Sequence, residues 1–169
     1  GQDGKTVWKI TDQMPYIGHL DVVFPADIIP SIEGQEIFYA REGWLDEEGN
    51  IGVLIVNKFG ETIWSKWGFT HFDGGWAAKI LPNRADMQIF AYDVKSKEKS
   101  QEQGSHGFAW QGVTGYLWDS RGRHLSSPPV DWKSSTTFDW DGDGVKEIGL
   151  KKTGKILKFG KETVIQIAK

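Results

Sequence analysis

The feature that most constrains this chain is that it repeats itself. The segment "HLDVVFPADIIPSIEGQEIF" (His19 to Phe38) aligns without gaps with "HFDGGWAAKILPNRADMQIF" (His71 to Phe90), at an offset of 52, and seven of the twenty positions are identical. The shared residues include the opening His-x-Asp, a proline and the closing Ile-Phe. A third copy is built around "FDWDGDGVKEI" (Phe138 to Ile148), where Glu147-Ile148 takes the place of Glu36-Ile37 and Gln88-Ile89. Two short β-rich runs follow each copy: "GVLIVNK" and "GETIWSK", then "TGYLWDS" and "GRHLSS", then "GKILKFG" and "ETVIQIA". Alternating apolar runs punctuated by glycine turns give about four strands per unit. A period of about 50–60 residues with four strands reads as a propeller blade.

The sequence therefore predicts an all-β chain, a portion of a β-propeller with three four-stranded blades over residues 18–67, 70–128 and 131–169. The opening "GQDGKTVWKI" is similar to "KFGETIWSK". Residues 1–12 accordingly read as an orphan closing strand of a preceding blade. Three blades and a strand leave sheet edges and apolar faces open. The expected partners are thus the remaining blades, from the same parent chain, a partner or further copies of this one. "VKSKEKSQEQGSHG" (Val94 to Gly107) has almost no apolar residues and reads as a mobile insertion.

Composition narrows the function classes. A net charge of −3 supplies no basic face for nucleic acid. No apolar run approaches the ~18 residues of a membrane span. Without cysteine, disulfides and thiol chemistry are excluded, which leaves the compartment open. Nine tryptophans and 21 glycines agree with strands and tight turns.

The third copy carries the clearest chemistry. Asp139, Asp141 and Asp143 alternate at positions 1, 3 and 5, with Glu147 at position 9. Carboxylates that close repel one another unless a cation lies among them, and Gly142 and Gly144 permit the backbone to wrap. Hard oxygen donors, with a carbonyl expected near Val145, suit Ca²⁺. The other reading is a solvated acidic turn. The spacing is not that of an EF-hand, because nothing acidic stands at position 12.

The order "GHLDVVFPADIIPSIEGQEIF", "GVLIVNKFGETIWS", "GGWAAKILP" resembles the propeller-type rhamnogalacturonan lyases, and "DWDGDGVKEI" resembles the FG-GAP calcium loops of such propellers. The resemblance covers about Gly4 to Ile165. It implies a secreted or periplasmic enzyme with structural Ca²⁺ that cleaves an acidic pectic polysaccharide by β-elimination. The first two units depart from the calcium pattern, with Ile29 after Asp27 in one and Lys79 and Leu81 in the other.

β-Elimination from a uronate needs a base and a cation to neutralise the carboxylate. His19 and His71 are the candidate bases, with Lys79 and Lys133 as catalytic cations. Asp21, Asp73 and Arg84 stand near them as substrate-binding candidates. Trp76, Trp132 and Trp44 are candidate sugar-stacking residues outside the repeated Trp8 and Trp64. Repetition of His-x-Asp in two units equally suits a hydrogen-bonded strand-and-turn role, and each tryptophan equally suits packing. The alternative function is a non-catalytic Ca²⁺-dependent propeller module that binds carbohydrate or protein. A further alternative is a chain that completes its ring by self-association.

Overall fold

The computed structural model describes Lys5, Thr6, Trp8 and residues 19–42, 52–97, 109–159 and 163–166. These form three four-stranded antiparallel sheets. The first holds β1 (His19–Ala26), β2 (Glu36–Glu42), β3 (Gly52–Val56) and β4 (Thr62–Trp67). The second holds β5 (Phe72–Ala78), β6 (Gln88–Lys97), β7 (Ala109–Trp118) and β8 (His124–Ser126). The third holds β9 (Ser135–Phe138), β10 (Glu147–Leu150), β11 (Lys155–Lys158) and β12 (Thr163–Gln166). Strands pair in chain order within every sheet. Each repeat unit is thus one antiparallel meander.

Alternation along the strands decides how the sheets stack. In β2, Phe38 and Ala40 join a core shared with Phe72, Ile89 and Ala91 of the second sheet. Between them, Tyr39 faces the other way, onto Leu54, Val56 and Trp8. In β6, Ile89 and Ala91 meet the first sheet while Phe90, Tyr92 and Val94 meet Trp132, Ile148 and Leu150 of the third unit. The middle sheet is therefore covered on both faces. In the first sheet, β3 is buried at every residue although its side chains alternate, because Val53 and Ile55 enter the core shared with the second sheet while Leu54 and Val56 pack with Tyr39 and Trp8.

The first strands of consecutive sheets are neighbours, β1 beside β5 and β5 beside β9. Backbone bonds latch the turns that follow them: Met87 N–H donates to the Ile28 carbonyl (3.0 Å) and Lys146 N–H to the Lys79 carbonyl (2.7 Å). The donor in each case precedes the buried Gln88 or Glu147. The same step is thus repeated from unit to unit.

A second repeated contact involves tryptophan. Trp64 of β4 donates from Nε1 to the Ser120 carbonyl (2.8 Å), and Trp8 donates to the Lys58 carbonyl (2.9 Å). Each indole lies over a turn glycine with positive φ, Gly122 (77°) and Gly60 (80°). Trp8 therefore stands to the first sheet as Trp64 stands to the second, although the strand expected over residues 1–12 lies mostly outside the described residues. A Cβ at position 122 would come within 2.9 Å of the Trp64 ring. Gly122→Ala is expected to cost about 1–2 kcal/mol from left-handed backbone alone. Urea denaturation checks this, and an unchanged midpoint would refute it.

The segment Val94 to Gly107 divides. Val94–Lys97 continues β6 paired with β7, with a slip in register between Lys95 and Ser96, and Val94 is fully buried. Residues 98–107 lie outside the described residues, as does Trp44. No helix among the described residues is long and apolar enough to cross a membrane.

Candidate functional site

Two β-bulges shape the first-strand end of the sheets. Pairing of β1 with β2 slips between Leu20 and Val22, which leaves Asp21 as the extra residue. Pairing of β5 with β6 slips between Phe72 and Gly75, across Asp73. A bulge bends the strand and re-aims its side chain. Here Asp21, His71 and Asp73 are brought together, each offering one ligand atom within 4.8 Å of the others. Residues 50 positions apart in sequence thus meet across two sheets.

The backbone beneath His71 is fixed. Asp93, 3% exposed, accepts from the His71 and Thr70 amides on Oδ1 at 2.7 and 3.0 Å. The His71 carbonyl accepts from Val94 at 2.8 Å. The third unit contributes Lys133, whose Nζ lies 3.4 Å from Asp73 Oδ2 and 5.5 Å from the Tyr92 ring centre. Ser134 beside it holds φ at 63°, the one positive value for a non-glycine among the described residues. Such strain persists where the surroundings over-determine the backbone. The Tyr92 hydroxyl donates to the Asp73 carbonyl across the bulge. Burial, then the charge of Asp73, push that phenol up to about 12, against a hydrogen bond with Ser134. Tyr92 therefore stays neutral and keeps donating near neutral pH.

The other candidates lie elsewhere. His19 opens β1 opposite Glu42, and its side chain lies outside the described residues. Lys79 follows the far end of β5, about 20 Å of extended strand from Asp73. Arg84 is engaged at that same turn end, with Nη1 3.5 Å from Asp119 and 3.7 Å from Asp86. Trp76 and Trp132 are 4% and 5% exposed and stack on each other at 6.2 Å. Trp76 Nε1 is satisfied by Ser135 Oγ (2.9 Å). Both indoles are held within the core between the second and third units.

The acidic loop of the third unit is a separate centre. Its anchor repeats in every sheet: Glu36, Gln88 and Glu147 are buried at the start of β2, β6 and β10. Glu36 Oε2 accepts from Ile29 N–H (2.8 Å), Gln88 Oε1 from Ile80 and Leu81 (both 3.0 Å), and Glu147 Oε2 from Trp140 (2.6 Å). This residue holds the preceding turn in all three units. Only the third adds carboxylates around it.

Gly142 and Gly144 adopt φ of 76° and 80°, and their amides donate to the two oxygens of Asp139. Val145 is buried and donates to Asp143 Oδ1 (2.9 Å). Oxygens of Asp139, Asp141 and Glu147 lie within 4.8 Å of one another, a donor set that fits a hard cation. Two ammoniums stand beside it, Lys146 with Nζ 3.8 Å from Asp139 Oδ2 and Lys158 much closer. Lys158 Nζ is 2.6 Å from Asp141, 2.8 Å from Asp143 and 2.9 Å from Glu147 Oε1, the last an ionic contact without hydrogen-bond geometry. Its hydrogen bond to Asp141, then that to Asp143 and the contact with Glu147, hold the lysine protonated far above its ordinary range. The same ammonium, then the Val145 amide, hold the Asp143 carboxyl below the usual aspartate value.

Sequence reasoning missed Tyr92, Asp93 and Lys158. For Lys158 the repeat carried a signal. Continuing each ladder by one residue places it opposite Glu147, as Asn57 stands opposite Glu36 and Asp119 opposite Gln88. Asn57 and Asp119 accept amides of their own turns, which a lysine cannot do. Comparison with protein-family models, curated proteins and solved structures finds no match to this chain.

Proposed function

We propose that the three sheets are consecutive blades of a larger β-propeller that binds an acidic, rhamnogalacturonan-like polysaccharide and cleaves it by β-elimination. The carrying observation is the meeting of Asp21, His71, Asp73 and Lys133 from three successive units at one end of the first strands. The chain-order meanders, the repeated turn latches and the repeated tryptophan contacts support the blade reading.

In this reading the imidazole of His71 takes the proton from the carbon next to the uronate carboxylate. The electron pair forms the new carbon–carbon double bond as the glycosidic oxygen leaves. The Lys133 ammonium, loosely paired with Asp73, shares its charge with the uronate carboxylate as charge builds there. Tyr92 holds the bulge that aims Asp73. Ca²⁺ belongs to the acidic loop, where Asp139, Asp141, Asp143 and Glu147, with Val145 beside them, would hold it. Its contribution there is structural, tying the turn to β10.

The second reading is a non-catalytic module that binds carbohydrate or protein. It is favoured by the excess of carboxylate over ammonium in the described cluster, which opposes an anionic polymer. The two separate in one assay. The chain together with its remaining blades is mixed with pectic and other acidic polysaccharides, and ultraviolet absorbance of unsaturated uronate is followed. His71→Ala is expected to lower turnover about a hundredfold or more. Binding without any chromophore, with calcium supplied, would remove the lyase reading and leave the module.

A further inference from the structure

We propose that Lys158 is the resident cation of the acidic loop, and that a divalent ion binds there only by displacing its ammonium. The inference rests on the calcium reading of the loop and adds how that site is controlled. Three carboxylates from two parts of the unit, Asp141 and Asp143 in the turn and Glu147 in β10, converge on one nitrogen at 2.6–2.9 Å. The Lys158 side chain is only 13% exposed, and its ammonium meets these oxygens directly. A calcium ion ligated by the same atoms needs them at about 2.3–2.6 Å. Two cations held by the same oxygens would repel each other at such short range. The oxygens serve one or the other.

The repeat supports this assignment independently of the distances. The lysine occurs at this ladder position only in the unit whose turn has three aspartates. Asn57 and Asp119 stand there where the turns read "DIIPS" and "KILPN". Lysine and carboxylates thus go together within one molecule. Two consequences follow: the loop is folded before any metal arrives, and its calcium affinity is lowered by the contacts that must break.

The test uses the whole chain and calcium chloride alone. Lys158→Met keeps the apolar stem and removes the charge, Lys158→Gln guards against a folding defect peculiar to one substitution, and Asp143→Ala impairs the site. Calorimetry is expected to show calcium binding about tenfold or more tighter in both lysine variants than in the unaltered chain. In the unaltered chain, the nitrogen-bound protons of Lys158 should give a protected NMR signal without metal and lose it as calcium is added.

Equal calcium affinity with and without the lysine, with the Lys158 signal unchanged at saturation, would overturn the inference and leave the calcium reading standing. Binding by the lysine variants alone would uphold the inference and end the calcium reading for the natural chain. Binding by none of the proteins would end both.

Discussion

Replacing Trp132 with alanine is expected to destabilise the protein by about 3–5 kcal/mol, the range for deleting a buried aromatic. Trp132 stacks on Trp76, meets Phe90 edge-on at 5.5 Å and Phe159 at 5.8 Å. Its removal would open a cavity where the second and third units meet. Urea denaturation followed by far-ultraviolet circular dichroism measures the loss. The experiment also distinguishes the two sequence expectations for this residue. A sugar platform would leave stability unchanged and weaken polysaccharide binding, whereas a packing residue does the reverse. Trp132→Phe should recover a large part of the stability by refilling the space.

Asp119→Ala is expected to cost about 3 kcal/mol, because a buried carboxylate here satisfies several donors at once. Its side chain is 1% exposed and accepts from the Arg121 and Arg123 amides, and from Arg123 Nε at 2.7 Å. Burial alone would raise its pKa, but the amide and side chain of Arg123, followed by the Arg121 amide, outweigh it and bring the carboxyl below 3.8. A depressed carboxylate stabilises the fold above its unfolded value and loses that contribution as pH falls through the folded one. The stability difference between the natural chain and Asp119→Asn should therefore hold near neutrality and shrink as pH falls below about 3.8. Asn57 shows that an amide oxygen can cap the same turn. The asparagine variant should accordingly fall between the natural chain and alanine. A difference that is flat with pH would refute the account.

The calcium and lyase readings depend on different parts of the chain. The acidic loop lies at the turn between β9 and β10, and the His71 cluster at the opposite, opening end of the first strands. On those two readings, loss of calcium should act on activity through stability rather than through the reacting groups. That separation lets loop variants serve as controls for variants of His71.

Much of the fold was legible because it is local. Glycine turns, alternating apolar residues and a unit that recurs after 52 positions determine strand number, strand order and antiparallel pairing. The recurring Glu36, Gln88 and Glu147 marked a shared role, and all three anchor the same turn. Trp8 and Trp64 were likewise recognisable as one position. Only the tertiary structure decided the rest. A tryptophan suits a core and a sugar platform equally, so the burial of Trp76 and Trp132 depended on the third unit closing over the second. Asp21, His71, Asp73 and Lys133 meet because two bulges turn strands from different units toward one point, and pairing slips of one residue leave no clear mark in composition. Lys158 reads in sequence as one more surface lysine on a strand. Its role follows from the pairing of β11 with β10, which sets it beside Glu147 and the acidic turn, since Coulombic attraction and desolvation depend on distances within a few ångströms that only the folded sheet fixes.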